Sequence, residues 1–351
     1  MPSTSTNAGW TYSHAEGAWV EADAASSAGA VPIGGRALRL ATLNCLHDLK
    51  DAALLQHEVR YDTICRELAA LDADVIGLNE VTASLLERML REEWVRDGYT
   101  ASAVPGGVHC SELSTLAAGG FGNLLLSRIP PVTVEYVSQP GDGRQSHVMS
   151  LCLPGPSIGP RGAKPLRLTV SSTHLTACPW LMEGRRKVQL EHITSTLTEQ
   201  LGGFDGSVVM GDYNFHREAE NASIPDGWRE VPAVVALGET WDFAKNAMLP
   251  HYLPLRNFYN GLGLGTSFGW PTPMRLDRVL VRGSALDVGA AKARLFVDQP
   301  CHERARGRTP LPQTGRELRD AHRCLPWQQY LFPSDHFGIF VEIPMAAGEV
   351  L

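Results

Sequence analysis

Carboxylates, carboxamides and imidazoles recur in this chain directly after short apolar runs. In SVVMGDYNFH, the strand-like run Val208, Val209, Met210 stops abruptly at Gly211, Asp212 and Asn214. The run Val75 to Leu78 ends in Asn79 and Glu80, LRLATLN from Leu38 ends in Asn44, and LRLTVSST from Leu166 ends at His174. Leu276 to Val281 carries Asp277, and Gly338 to Ile343 is entered through Ser334-Asp335-His336. Singly, each has an ordinary use: Asn44 caps a turn, Glu80 suits the first turn of a following helix, and His174 is a hydrogen-bonded core histidine. Collected at the ends of buried strands, these types suit metal-assisted attack on a phosphoester. Oxygen donors favour Mg2+ or Mn2+ over zinc, and one carboxylate aligns or deprotonates the attacking water. Two imidazoles donate to the phosphate as charge builds on it, and a carboxylate fixes the tautomer of one of them.

The elements that must carry these residues are legible in outline. Tyr61, Ile64, Cys65, Leu68 and Leu71 recur at helical spacing before the Val75 strand, and Ser84 with Glu87 forms a capping-box pattern for a helix after Glu80. Asn123 to Ser127 and Ser146 to Leu153 read as further strands, with a Pro- and Gly-rich loop over 154–165. Leu190, Ile193, Leu197 and Leu201 make an amphipathic helix before the Ser207 strand. Residues 1–36, rich in Ser, Ala and Gly, are expected to be a flexible tail anchored at most by Trp10, Tyr12 and Trp19. Residues 37–346 are expected to form a single domain with irregular insertions near 218–272 and 298–332. The first insertion holds Trp241, Phe268 and Trp270, placed for substrate choice by stacking bases or for ordinary loop packing.

Composition excludes several classes. A formal charge of −7 gives no global attraction to polyanions, so any such site is a local patch or a metal centre. The 7 cysteines are odd in number and contain no Cys-x-x-Cys pair, which argues against a disulfide framework and a zinc site. No apolar run approaches the roughly 20 residues that span a bilayer, and the N-terminus lacks a signal-peptide pattern. A nuclear or cytoplasmic monomer with no membrane partner is expected.

In order along the chain, Thr42-Leu43-Asn44, Leu78-Asn79-Glu80-Val81, Thr173-His174-Leu175, Gly211-Asp212-Tyr213-Asn214, Arg275-Leu276-Asp277 and Ser334-Asp335-His336 resemble the endonuclease/exonuclease/phosphatase superfamily. The resemblance covers about residues 38 to 343. It implies an α/β fold of the DNase I-like kind, a four-layer sandwich of two packed, mostly antiparallel sheets flanked by helices. It also implies phosphoester hydrolysis with Mg2+, Mn2+ being a substitute. By position it makes Glu80 the main metal ligand, with Asn44 and Asp335 completing the site directly or through water. Asp212, helped by Asn214, orients or activates the nucleophile; His336 and His174 stabilise the phosphate, and Asp277 holds His336. Arg186 and Gln189, in Arg-x-x-Gln-Leu, match a further family pattern of substrate contacts, with a solvated helix face as the alternative, and Trp241 is a third candidate contact.

Within the superfamily, the Thr-His-Leu motif, Trp241-Asp242, Met274-Arg275-Leu276-Asp277-Arg278 and Ser334-Asp335-His336-Phe337-Gly338 resemble the tyrosyl-DNA phosphodiesterases of the second type. That implies single-stranded DNA 5′ ends carrying a protein or peptide adduct as the nucleic-acid partner. A phenol leaves with a pKa near ~10, so no strong general acid is needed. Leu46 stands where those enzymes carry an acid, Asn79 where they carry Gln, and Ala177 where they carry a hydroxyl. Leu46 is similar to the poly(A)-removing branch, so RNA 3′ ends, or a phosphorylated lipid or sugar, are alternative substrates. A scaffold that keeps the fold without turnover is the alternative of another class.

Overall fold

The computed structural model describes residues 6–23, 36–48, 55–106, 120–153, 165–177, 180–201, 203–249, 273–302 and 330–346. The expectation of a flexible tail is corrected for its described part, because residues 6–23 supply strands to both sheets. β1 (Thr6–Asn7) pairs with a strand of one sheet, while β2 (Trp10–Ser13) and β3 (Ala18–Glu21) form a hairpin on the edge of the other. The anchoring rings explain this. Trp10 and Trp19 pack on the buried cluster around Met89 and Leu90, and Trp19 Nε1 donates to Leu90 O at 3.4 Å. Covering part of these rings offsets some of the entropy of ordering a short strand.

Next come β4 (Leu38–Asn44), α1 (His57–Leu71) and β5 (Val75–Val81). This βαβ unit puts β4 and β5 side by side and parallel, with Asn44 opposite Asn79. α2 (Ala83–Arg91) follows at once, but its N-cap is Thr82 and not Ser84: Thr82 Oγ1 accepts from Leu85 N at 3.4 Å, whereas Ser84 turns its hydroxyl to Asp48. After α3 (Glu93–Gly98), β6 (Thr100–Ala101) and β7 (Gly122–Ser127) come β8 (Pro131–Ser138), β9 (Gln145–Leu153) and β10 (Leu166–His174). The alternation in PVTVEYVS is masked in the sequence by its leading prolines. Pro131 stands at the first position of β8, where a missing N–H is tolerated.

α4 (Glu183–Ser195) crosses over to β11 (Gly206–Asp212), which lies parallel to β10 with His174 opposite Asp212. β12 (Trp228–Glu230), α5 (Pro232–Val235), β13 (Asp277–Gly283), β14 (Lys292–Phe296) and β15 (Gly338–Ile343) complete the chain. The insertion expected over 218–272 thus contains a short strand and a helical turn. Phe268, Trp270 and most of 298–332 lie outside the described residues.

Two sheets result, ordered β1-β8-β9-β10-β11-β13-β12 and β14-β15-β4-β5-β7-β6-β2-β3, with β4/β5 and β10/β11 parallel and every other pair antiparallel. Leu38, Leu40, Val75 and Leu125 face Met149, Val170, Val208 and Met210 between the sheets. Ala41, Leu43, Ile76 and Leu78 face α1 and α2 outside, and Val148, Val209 and Leu280 face Leu190, Ile193 and Leu197 of α4. The period-2 alternation of each central strand therefore sorts its apolar residues into two cores. This is the helix, sheet, sheet, helix sandwich expected from the sequence.

Candidate active site

The chemistry collects where the two parallel pairs end. β11 lies between β10 and β13, so His174, Asp212 and Asp277 stand in one register row. The facing sheet contributes Asn44 and Glu80 from the ends of β4 and β5, and the segment entering β15 beside β4 brings Asp335 and His336. Backbone geometry turns these ends into a pocket. Leu46, Glu80 and Asn214 have left-handed φ of 53°, 55° and 51°, and the β5/β7 ladder shifts register between Leu78 and Val81. Gly211, at φ 138°, fills the tightest spot: a Cβ there would lie 2.0 Å from Thr173 O.

Both oxygens of Glu80 are held. Asn44 Nδ2 donates to Oε1 at 3.2 Å and His47 N to Oε2 at 3.0 Å, with His47 Nε2 3.7 Å from the same oxygen. Asn44 Nδ2 also donates to Asp212 Oδ2 at 3.0 Å, while Asn44 Oδ1 accepts from Leu46 N at 3.0 Å. The amide thus ties the carboxylates of the two sheets together, and its oxygen is already used by the backbone. Asn79 makes a second tie one layer deeper: its Oδ1 accepts from Asp212 N at 2.9 Å and its Nδ2 donates to Asn123 Oδ1 at 2.6 Å. The side chain of Leu46 joins Leu55, Met248, Leu331, Phe332 and Phe337 in an apolar cluster, so this position serves packing and supplies no acid.

Asp212 is buried and accepts from Asn214 N at 2.8 Å. Burial pushes its carboxyl up to about 6; His336 opposes the shift, Asp277 adds to it, and the Asn44 and Asn214 bonds oppose it. His336 Nδ1 donates to Asp277 Oδ2 at 2.8 Å, and its Nε2 lies 3.9 Å from Asp212 Oδ2. Burial disfavours its imidazolium, yet the carboxylates of Asp277, Asp335 and Asp212 outweigh burial and hold it well above the usual histidine value. His174, with Nε2 3.5 Å from Asp212 Oδ2, goes the other way: burial, then Arg144, His336 and His47, keep it neutral. Two similar rings are thereby set in opposite charge states. Thr240 Oγ1 accepts from Asp277 N at 3.1 Å, and Ser334 Oγ donates to Asn44 O at 2.6 Å, fixing the backbone on both sides of His336.

The raised carboxyl of Asp212 has a measurable consequence. Its contribution to the stability of the metal-free protein is full below the unfolded value of 3.8 and is lost as pH rises through about 6. A divalent cation held at Glu80 would lower that midpoint, because positive charge favours the carboxylate. Carboxyl 13C shifts of Asp212, titrated with and without Mg2+, check both statements; a midpoint that rises on adding the cation contradicts them.

Three sequence-based candidates are corrected. Arg186 and Gln189 are fully buried. Arg186 Nε donates to Glu220 Oε2 at 2.7 Å and Nη1 to Thr176 O at 3.3 Å; Gln189 Oε1 accepts from Thr176 N at 2.9 Å. They brace the loop after His174 from behind and present nothing to a substrate. Trp241 packs with Leu249, Met274 and Leu276 in a buried cluster, so its ring is core as well. In their place the mouth carries Phe121, stacked on His47 at 4.8 Å between ring centres and 8° between planes, with the Arg144 guanidinium 5.9 Å away. Phe121 lies 6.0 Å from the ring of His174, and Arg144 Nη1 donates to Leu175 O at 2.8 Å. Phe121 just before the Gly122 strand and Arg144 just before the Gln145 strand were available signals, since both flank strands that aim at the site.

The donor set fits a hard divalent cation. The carboxylates of Glu80, Asp212, Asp277 and Asp335 outnumber the imidazolium of His336, and carboxylate oxygens are the ligands that such an ion takes. Among the described residues no group of three or more His, Cys, Asp and Glu side chains closes around one point.

Comparison with known proteins gives three findings. The model of the endonuclease/exonuclease/phosphatase family matches residues 41–336. Among solved structures, truncated TDP2 of Caenorhabditis elegans is 18% identical with a TM-score of 0.55, covering 87% of this chain and 96% of that one. TDP2 of D. rerio complexed with a single-strand DNA product is 18% identical with a TM-score of 0.53, covering 87% and 98%. The human Nocturnin catalytic domain with bound sulfate is 15% identical with a TM-score of 0.50, covering 88% and 95%. At these identities the likeness is one of fold. No match is found among curated proteins.

Proposed function

The chain belongs to the endonuclease/exonuclease/phosphatase family and is a hydrolase of phosphoester bonds, and from that premise we propose that it removes a tyrosyl adduct from a DNA 5′ end with Mg2+. The observation that carries the chemistry is the pairing of a raised carboxyl, Asp212, with an imidazolium, His336, whose Nδ1 is locked on Asp277 at 2.8 Å. Glu80 would hold the cation with Asp335, and Asn44 sets the angle of Glu80 and acts through water. The bound cation supplies neutralising charge at a nonbridging phosphate oxygen. Asp212 accepts the proton of the attacking water, and Asn214 N keeps the receiving carboxylate turned toward it. His336 places its charge where the phosphorane charge develops, and His174 donates as a neutral ring.

The tyrosyl reading is supported by the wall at the mouth. Phe121, flanked by Arg144 and His47 and beside His174, brings an aromatic and cationic edge to the site, against which an aromatic leaving group would pack. The neighbouring D. rerio TDP2 structure, complexed with a single-strand DNA product, favours a nucleic-acid substrate. A second reading keeps the site and takes RNA 3′ ends; Leu46, packed into an apolar cluster in place of an acid, favours it.

A panel of 5′-phosphotyrosyl single-stranded DNA, poly(A) RNA, an abasic duplex and a phosphoinositide, each with Mg2+ and with EDTA, tests the substrate. Tyrosine release from the first at a rate above all others is expected; faster poly(A) shortening overturns the tyrosyl reading. Glu80→Gln should raise the half-saturating cation concentration by about a hundredfold, on the scale of a lost charged ligand. A cation titration that overlays the wild type removes Glu80 from the metal site.

A further inference from the structure

The two halves of the site are joined by a side chain that belongs to neither. Arg60, on α1, is fully buried. Its Nη2 donates to Cys45 O at 2.5 Å and to Leu46 O at 2.7 Å, in the loop that follows Asn44. Its Nε donates to Pro333 O at 2.9 Å, in the segment that leads to Asp335 and His336. Nη1 faces His57 Nδ1 at 3.3 Å, and the guanidinium lies 5.8 Å from the ring centre of Tyr61. No carboxylate pairs with it among the described residues. A fully buried arginine without a carboxylate is unusual, because the charge is costly to desolvate and is ordinarily matched by an opposite one. Here carbonyl dipoles from two loops, 273 residues apart in sequence from α1 in the longer case, do the matching.

The geometry is specific to the planar fork. Nε and Nη2 belong to one rigid plane, so a single group sets the distance between the Cys45–Leu46 carbonyls and Pro333 O. Leu46 shows what this fixes. Its φ of 53° is a left-handed conformation, its N–H goes to Asn44 Oδ1, its side chain enters the apolar cluster, and its carbonyl is left for Arg60. His47, the next residue, then delivers its N–H to Glu80 Oε2.

We propose that Arg60 is a positioning residue of the active site, holding the loop of Asn44 and His47 in register with the loop of Asp335 and His336. This rests on the reading above that the first loop serves the cation at Glu80 and the second the phosphate. A lysine cannot replace it: one ammonium reaches either loop but does not span both.

The test uses the full chain carrying Arg60→Met, Arg60→Lys or Arg60→Ala, with thymidine 5′-(4-nitrophenyl phosphate) as the probe substrate. Amide exchange of peptides covering 44–48, 333–337 and the β9 segment 145–153, and Mn2+ binding by electron paramagnetic resonance, provide readouts independent of turnover. Arg60→Met should lower kcat about a hundredfold with KM within about threefold, the scale of a misplacement near 1 Å. Peptides 44–48 and 333–337 should lose protection together while 145–153 keeps its own. Arg60→Lys should regain less than about a tenth of the loss, and millimolar guanidinium, but not urea, should restore Arg60→Ala by about tenfold or more. Equal loss of protection in 145–153, or kcat near wild type in folded variants, overturns the proposal. Should Arg60→Met fail to fold, the exchange pattern of Arg60→Lys decides in the same terms. A silent wild type whose Mn2+ binding ignores Glu80→Gln would instead overturn the reading of the site.

Discussion

Replacing Asp212 by Asn is expected to lower kcat by about a thousandfold, within the range of a lost general base, while the fold is kept and cation affinity falls only by the smaller factor that the lost charge at this site contributes. The carboxylate receives Asn214 N and Asn44 Nδ2, and an amide satisfies one of these donors while losing the capacity to take a proton. Burial has pushed its carboxyl up to about 6, so above that pH the metal-free protein carries a buried charge at a net cost. Metal-free Asp212→Asn should therefore melt at a higher temperature than wild type at pH 8 and show little difference near pH 4. Steady-state kinetics with a melting curve at both pH values checks this. A tenfold loss or less would assign the base elsewhere.

His336→Gln should cost a comparable amount, about a hundred- to a thousandfold in kcat, by removing a charge preorganised at the phosphate. It also strips the donor from Asp277 Oδ2, whose other oxygen has no partner among the described residues, so this variant should be less stable as well as slower. Asp277→Asn separates the two effects. It keeps the ring and removes one of the carboxylates that hold the imidazolium well above its usual value. Protonated His336 is full below the ordinary 6.5 and is lost as pH rises through the elevated value, so Asp277→Asn should move the alkaline fall in rate to lower pH. Rate profiles of the two proteins that coincide on the alkaline side would detach Asp277 from His336.

The sequence exposed the candidate site residues better than their supports. Asp212, Glu80 and His174 were visible because an apolar strand stops at a polar residue, and that break in pattern is local. Their common register row was not, since His174 opposite Asp212 opposite Asp277 depends on which strands pair. Arg186 and Gln189 resembled substrate contacts because Arg-x-x-Gln-Leu matches a family pattern; they turn inward instead, and Glu220, 34 residues beyond Arg186, supplies the partner charge. Arg60 gave no signal, as an arginine among the apolar positions of α1 reads as a solvated edge. The first strands were hidden by a Ser- and Ala-rich context in which three rings decide the outcome.

The placing of β15 bears on synthesis at the ribosome. This late strand is inserted between β14 and β4, so the larger sheet is completed only after Ile343 has been made, and Asp335 and His336 arrive with it. A nascent chain short of that point holds Glu80 and Asp212 without the imidazolium that faces them. The candidate site is therefore incomplete on the ribosome until this last strand has been made.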